Sequence, residues 1–331
     1  MRLSGYPHFG GDSPVAQRAF VIGLDVGGTK IEGILVDKAK NQVAACRAAM
    51  DATSVERVVE SIAAAIQTLL DSANLMQESL AGIGVGIPGQ VLEGVVHLAV
   101  NLKMERYPLE EELTRRFASP VRVENDVRIA ALGVYQRLFG AGQIRHLAYL
   151  SVGTGISAGV ILDGRLHRGV GGMAGEIGHV QVDPRGARCG CGAYGCLEAF
   201  ASGSGMVASA RKALVEGRPS VLAEIDPSIL TTHQLFAAAA GGDTLAGEIV
   251  KTAARYISQA LQWLVMGYDV ERVALGGGVL RSRDVMTPAV LRAIQRLRES
   301  SLLAAHMLPE DKIVLLPEDF NPGVWGAAGL I

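Results

Sequence analysis

The sequence has little net charge, few cysteines and no long apolar run, and each of these features excludes a class of protein. The 331 residues contain 31 lysines and arginines against 33 aspartates and glutamates, so no overall positive field exists to hold nucleic acid or an anionic membrane. A membrane-spanning helix needs roughly 18 apolar residues, and the longest candidate, residues 260–268, is interrupted by Gln262. We therefore expect a soluble, cytoplasmic protein with no nucleic-acid or membrane partner.

The first 19 residues lack the uninterrupted apolar segment of a secretory signal peptide, so residues 1–19 are interpreted as a flexible leader. At about 150 residues per domain, the rest of the chain predicts two domains. The 4 cysteines are too few for a disulfide framework in a chain of this length. Three of them lie between Cys189 and Cys196, which makes metal binding the first interpretation of this cluster.

The 41 glycines are abundant and cluster in short groups beside predicted strands. Residues 20–37 predict two strands joined by a Gly-Gly turn. Residues 54–70 carry apolar side chains at helical spacing, with Ser54 as the candidate N-cap. Residues 147–169 repeat the order strand, Gly-Thr turn, strand. The repeat predicts a duplicated α/β plan in which the two Gly-Thr turns face each other across a cleft.

One glycine motif resembles a nucleotide-binding fingerprint only superficially. Residues 84–89 match G-x-G-x-x-G, but Pro88-Gly89 predicts a turn into a further strand rather than into the helix that a dinucleotide site requires. The Gly-Thr turns can hold phosphate with their backbone N–H groups, or they can be ordinary hairpin turns. Asp25, beside the first turn, favours a cation between its carboxylate and a phosphate, and Mg²⁺ is the natural candidate.

Five segments, taken in order, resemble the motifs of the actin-like sugar-kinase superfamily. They are residues 25–30, 124–126, 153–155, 276–278 and 323–329. More narrowly, AGEIGHV followed by CGCGAYGCLE is similar to the signature of the ROK family, which contains bacterial sugar kinases and sugar-responsive repressors. The resemblance runs from about residue 20 to the C-terminus. It implies an α/β protein with two actin-like (ribonuclease H-like) domains, an interdomain cleft, a hexose substrate, ATP as a cofactor and a homodimer.

The resemblance also implies domain boundaries and residue roles. Residues 20–136 plus 318–331 would form a small N-terminal domain, and residues 137–317 a larger domain with a zinc-binding loop. Asp126 would be the general base for transfer to the 6-hydroxyl of the hexose, although its position alone also fits an N-cap aspartate. The implied sugar contacts are Gly89, Asn101, Asn125, Asp126, Glu176, His179 and Glu198. The implied contacts to ATP and Mg²⁺ are Asp25, Gly27, Gly28, Thr29, Lys30, Gly153, Thr154, Gly155, Gly276 and Gly277.

The cysteine cluster suits a structural zinc site. His179, Cys189, Cys191 and Cys196 supply one nitrogen and three sulfurs, which fit a closed tetrahedral Zn²⁺ site with no position left for water. Such a zinc would orient His179, whose second ring nitrogen can meet the sugar. A reduced cluster without metal and a disulfide are the alternatives.

Several functions compete with an ATP-dependent hexokinase. An N-acetylmannosamine or N-acetylglucosamine kinase, a fructokinase and a catalytically weak sugar sensor remain alternatives. A DNA-binding repressor is disfavoured, because the family's repressors carry a winged helix-turn-helix before the first phosphate motif and only about 18 residues precede it here. The chain also departs from the family at Val127-Arg128 and at Ser157-Ala158, which bears on substrate preference and ATP affinity.

Overall fold

The computed structural model of this chain describes residues 18–140 and 142–331. The predicted flexible leader lies outside the described residues as far as residue 17. The strands are β1 (Phe20–Val26), β2 (Lys30–Val36), β3 (Gln42–Ala49), β4 (Leu80–Ile87), β5 (Gln90–Leu92), β6 (Val95–Ala99), β7 (Met104–Tyr107), β8 (Val121–Asn125), β9 (Leu147–Val152), β10 (Ile156–Leu162), β11 (Arg165–His167), β12 (Arg272–Gly276) and β13 (Ile313–Leu315). The helices are α1 (Val55–Ser72), α2 (Leu109–Phe117), α3 (Asp126–Val134), α4 (Leu197–Ala201), α5 (Gly203–Val215), α6 (Thr232–Ala240), α7 (Thr244–Tyr268), α8 (Met286–Ser300), α9 (Leu302–Met307) and α10 (Pro322–Ala328).

Two five-stranded sheets of identical topology organise the chain. The first has the order β3-β2-β1-β4-β8 and the second β11-β10-β9-β12-β13. In the first sheet β2 pairs antiparallel with both β1 and β3. Strand β4 pairs parallel with β1, and β8 pairs parallel with β4. The second sheet repeats this pattern with β9, β10 and β11 antiparallel and β12 and β13 parallel. The duplicated plan predicted from the sequence is confirmed.

Helix α1 covers the first sheet with the apolar face that its sequence predicts. Its buried side chains include Val58, Ile62 and Ile66, which belong to the same apolar cluster as Ile22 and Leu24 of β1. The predicted cap is confirmed, because the Ser54 side chain accepts a hydrogen bond from the backbone N–H of Arg57.

Helix α3 lies between the two sheets and packs tightly against α10. A Cβ added at Gly326 would lie only 1.6 Å from the carbonyl oxygen of Ile129 in α3, so glycine is required at this helix crossing. On its other side α3 contributes Ala131 and Val134 to an apolar cluster with Leu147 of β9. The first residue of α3 therefore stands where both sheets meet.

The turn after β4 agrees with the sequence argument against a dinucleotide site. Strand β4 leads through Pro88 and Gly89 into β5, not into a helix. Gly89 has φ +112°, a left-handed conformation that favours glycine.

Among the helices of the described residues, none is both long and apolar enough to cross a membrane.

Candidate active site

A cleft of about 310 Å³ lies where strands of the two sheets end, and it contains part of the predicted site. Asp25 comes from the end of β1, Asp126 follows β8, and Gly276 ends β12. Lys30 and Gly277 line the same cleft. Ligands in open α/β sheets bind outside the carboxyl ends of strands, and these residues occupy that position. The structure thus brings five predicted site residues from three segments to one cavity.

Asp126 is held at the start of α3 by its neighbour. The Asn125 side chain is the N-cap and accepts from the backbone N–H groups of Val127 and Arg128, so the alternative that Asp126 is the cap is wrong. The amide nitrogen of Asn125 donates to the Gly89 carbonyl and to Oδ1 of Asp126, each at 3.0 Å. Oδ1 of Asp126 also accepts from the N–H of Val127 at 2.9 Å. Within the described residues Oδ2 accepts no hydrogen bond, which leaves it available to a ligand.

The two cleft aspartates have raised pKa values because they are buried close to other acids. Burial, together with the negative charge of Glu176, raises the pKa of Asp126 to about 6. Burial and the charges of Asp126 and Glu32 raise the pKa of Asp25 to about 7. Burial also raises the pKa of Tyr149 to about 12. The cleft therefore favours neutral carboxyl groups unless a cation or a hydrogen-bond donor enters it.

The two Gly-Thr turns leave backbone donors free. In the first turn the N–H of Gly27 bonds the Lys30 carbonyl at 2.8 Å, and in the second Gly153 bonds Gly155 at 2.9 Å. In the part of the chain that the structure describes, no acceptor is present for the backbone N–H groups of four turn residues. These are Gly28, Thr29, Thr154 and Gly155. Unpaired N–H groups clustered in a turn are a suitable cradle for phosphate oxygens.

An adjoining cavity of about 970 Å³ begins at the second turn. Thr154 lies at its edge, and Val207, Phe236 and Val279 line it with apolar surface. It shares Gly278 and Arg281 with the cleft. A ligand with a flat apolar part and a charged part could therefore extend from this cavity into the cleft.

The histidine and cysteine cluster is assembled as predicted. The ligand atoms of His179, Cys189, Cys191 and Cys196 all lie within 4.8 Å of one another. Nδ1 of His179 lies 3.7 Å from Cys189 Sγ, and the sulfurs of Cys191 and Cys196 are also 3.7 Å apart. A tetrahedral zinc with bonds of about 2.3 Å requires sulfurs about 3.8 Å apart, whereas a disulfide requires about 2.05 Å. The geometry fits zinc, and the disulfide alternative is not formed.

Three predicted sugar contacts lie around this cluster. Oε2 of Glu198 accepts from the N–H of Ile156 at 2.9 Å, which connects the second Gly-Thr turn to the cysteine loop. Burial raises the pKa of Glu176, and the charge of His179 opposes that rise. The charge of Glu176 also raises the pKa of Asp126, so these two carboxyl groups interact electrostatically. None of these three residues lines the cleft, and neither does Asn101, which is exposed in the turn Val100–Leu102.

Arg128 is buried beneath the site and does not line the cleft. Its Nε donates to Glu124 at 2.7 Å, and its two terminal nitrogens donate to the carbonyls of Gly172 at 2.8 Å and Val91 at 2.7 Å. Glu124 also pairs with Arg168. The charge that the sequence places near the site is thus paired with Glu124 in the buried interior. It still opposes the rise in the pKa values of Asp126 and Glu176.

Replacing Arg128 by alanine is expected to lower the free energy of unfolding by about 3–5 kcal/mol, because two buried carbonyls lose their donor and Glu124 loses one partner. Urea unfolding monitored by circular dichroism measures this. The matched control is Arg122→Ala, which removes an exposed pair with Glu110 and is expected to cost no more than about 1 kcal/mol. Equal stability of the two variants would contradict the assignment of Arg128.

Sequence reasoning missed several cleft residues. Tyr149, Arg281, Arg283 and Asn321 line the cleft. Arg281 follows the triple-glycine segment by three residues, and a charged residue so close to a candidate phosphate loop is a signal that could have found it. Tyr149 lies inside an apolar strand pattern and gives no such signal.

The repeated sheets, the cleft between them and the glycine turns at its edges define an actin-like α/β protein, as predicted. The chain belongs to the ROK family, whose pattern matches residues 21–331. The glucokinase of Halalkalibacterium halodurans is 34% identical over 277 residues, covering 80% of this chain and 82% of that one. The N-acetylmannosamine kinase of Salmonella newport is 32% identical over 260 residues, covering 78% and 82%. A ROK family glucokinase from Streptomyces griseus, solved with glucose and AMPPNP, is 29% identical, covers 94% of this chain and 98% of that one, and has a TM-score of 0.76.

Proposed function

We propose that this chain is a sugar kinase that transfers the γ-phosphate of ATP to the 6-hydroxyl of glucose or a closely related hexose. One observation carries the proposal: Asp126, with a free carboxylate oxygen and a raised pKa, shares a cleft with the end of the first Gly-Thr turn. The glucokinase relative and the structure with glucose and AMPPNP support the same donor and substrate class.

In the proposed reaction Asp126 is the general base. Its Oδ2 accepts the proton of the sugar hydroxyl as the hydroxyl oxygen attacks the γ-phosphorus, and the bond from that phosphorus to the β,γ-bridging oxygen breaks, releasing ADP. Asn125 fixes the position of Asp126 through its hydrogen bond to Oδ1. The other hydroxyls are held in this proposal by Gly89, Asn101, Asn125, Glu176, His179 and Glu198. Hydroxyls stripped of water need such protein partners.

The donor occupies the two adjoining cavities in this proposal. The free N–H groups of the Gly-Thr turns bind phosphate oxygens. The adenine lies against Gly276 and Gly277 of the cleft, where the cleft adjoins the apolar cavity at Gly278. Asp25 is the residue that would hold Mg²⁺, which neutralises phosphate charge in phosphoryl transfer. Its carboxylate makes no hydrogen bond within the described residues, as a carboxylate reserved for a cation requires.

The remaining features are proposals of the same kind. The cysteine cluster would hold a structural zinc that orients His179. The small domain would comprise residues 20–136 plus 318–331 and the larger one residues 137–317, a division that the two sheets and the packing of α10 on α3 support. A homodimer follows from the family resemblance, and the cytoplasmic location remains the expectation from the sequence.

The substrate is tested by ADP release from MgATP with a panel of hexoses and N-acetylhexosamines, using zinc-replete protein and a reaction without sugar. We expect glucose or a close relative to give the highest kcat/KM. A preference for N-acetylmannosamine would select the alternative that the Salmonella relative supports, and a preference for fructose would select a fructokinase. No turnover with any sugar would contradict the kinase and leave a sugar sensor.

The pH dependence follows from the pKa of Asp126. Only the ionised carboxylate accepts a proton, and its raised pKa of about 6 moves the acid limb of kcat/KM upward from the ordinary value near 4. We expect kcat/KM for the hexose to fall tenfold per unit of pH below about pH 6 and to level off above it. Saturating MgATP at every pH keeps ionisation of the donor from setting the profile. A kcat/KM that falls only below about pH 4 would contradict the prediction.

A further inference from the structure

Three cations line the cleft, and two of them already have partners. The Lys30 ammonium donates to Glu32 at 2.6 Å. The guanidinium of Arg283 lies 3.6 Å from Glu318 and donates to the Leu316 carbonyl. Arg281, the third, makes no ion pair or side-chain hydrogen bond anywhere in residues 18–140 and 142–331. It is therefore the cleft cation with a free guanidinium.

Arg281 has a fixed backbone and an exposed side chain. It ends the 3₁₀ turn Gly278–Arg281, in which Val279 and Leu280 are buried. The Leu280 carbonyl accepts from Thr287 Oγ1 at 2.8 Å, which ties the turn to α8. The side chain thus starts from an anchored position, and little backbone freedom is lost when it binds a ligand.

Arg281 also stands at the junction of two cavities. With Gly278 it lines both the cleft that contains Asp25 and Asp126 and the apolar cavity that begins at Thr154. Its positive charge acts on a residue inside the cleft. Burial raises the pKa of Tyr149, and the Arg281 charge opposes that rise. A molecule that spans both cavities must pass this guanidinium.

We propose that Arg281 binds the phosphate chain of a nucleoside di- or triphosphate where the chain crosses from the apolar cavity into the cleft. This inference rests on the proposed function, because it assumes that the donor spans both cavities. A guanidinium presents a planar set of donors that matches phosphate oxygens and can bind them in pairs. Its positive charge also offsets the negative charges that Asp25, Asp126 and a bound anion bring into the cleft.

The test compares Arg281→Gln and Arg281→Lys with wild type. Calorimetry measures binding of ADP, AMP and adenosine in the presence of Mg²⁺, and initial rates give KM for MgATP and for the hexose. In Arg281→Gln we expect the Kd of ADP and the KM of MgATP to rise about tenfold or more, since hydrogen bonds to charged groups are lost. Adenosine binding and the hexose KM stay unchanged, and Arg281→Lys recovers part of the loss. Arg292→Gln, an exposed arginine of α8 outside both cavities, is the matched control and should equal wild type.

Wild-type ADP affinity in Arg281→Gln would overturn the inference. A loss of adenosine affinity as large as that of ADP would also overturn it, because it would assign Arg281 to the base pocket. A wild-type protein that binds no ADP would also overturn it. A wild-type protein that binds ADP but phosphorylates no sugar would contradict the proposed function alone, because the binding comparison needs no turnover.

Discussion

Asp126→Asn is expected to lower kcat by about 10²–10⁴-fold, the contribution typical of a general base, while the hexose KM stays within a few-fold of wild type. The substitution removes the proton acceptor but keeps an oxygen that can accept from the Val127 N–H, as Oδ1 does now. Helix α3 still begins normally, because Asn125 is its cap. Steady-state kinetics with saturating MgATP measures the effect.

We do not expect Asp126→Asn to lower the free energy of unfolding. A carboxyl group with a raised pKa is destabilising when ionised in the native protein, so replacing it by a neutral amide removes that cost at neutral pH. Asp243→Asn is the matched control, since Asp243 caps α7 outside the cleft and should leave kcat unchanged. A kcat for Asp126→Asn within a few-fold of wild type would show that another group takes the proton.

Loss of the proposed zinc is expected to have the second largest effect. Cys191→Ser removes one of four ligands, so the variant should bind no zinc, show a lower melting temperature and have a hexose KM raised about 10–100-fold. The KM rises because His179 and Glu198 lie on the segments that the cluster joins. Metal analysis, thermal unfolding and initial rates measure the three outcomes.

Cys46→Ser is the matched control for this variant. Cys46 is a free thiol in β3, outside the cluster, and its serine variant should keep one zinc per chain and the wild-type hexose KM. A wild-type protein with full activity and no bound metal would contradict the zinc site. Unchanged sugar affinity in zinc-free Cys191→Ser would contradict its role in positioning His179.

Much of the fold follows from local patterns in the sequence. The β1–β2 hairpin, the Ser54 cap and the two Gly-Thr turns each depend on residues close together in the chain, so spacing alone predicts them. Residues 147–169 repeat the pattern of residues 20–37. This repeat predicts a second sheet of the same kind, which the structure shows. The motif order then carries the resemblance that places Asp25 and Asp126 in one cleft.

The rest of the site depends on contacts between distant segments. Arg128 looks like an added charge in the sequence, but its partners Val91 and Gly172 lie 37 and 44 residues away, and only the folded chain shows that it is buried and paired. Spacing likewise left open whether Asp126 is the general base or the N-cap of α3, since aspartate favours the N-cap position. Arg281 and Tyr149 enter the cleft only because the second sheet faces the first.

Phosphorus NMR of wild-type protein incubated with MgATP and glucose, or with the sugar that the panel selects, shows directly whether phosphate reaches the sugar. We expect a phosphomonoester at the 6-hydroxyl that accumulates in equal amount with ADP, and that is absent on the same time scale with Asp126→Asn. ADP accompanied by inorganic phosphate and no sugar phosphate, or equal product from wild type and Asp126→Asn, would contradict this expectation.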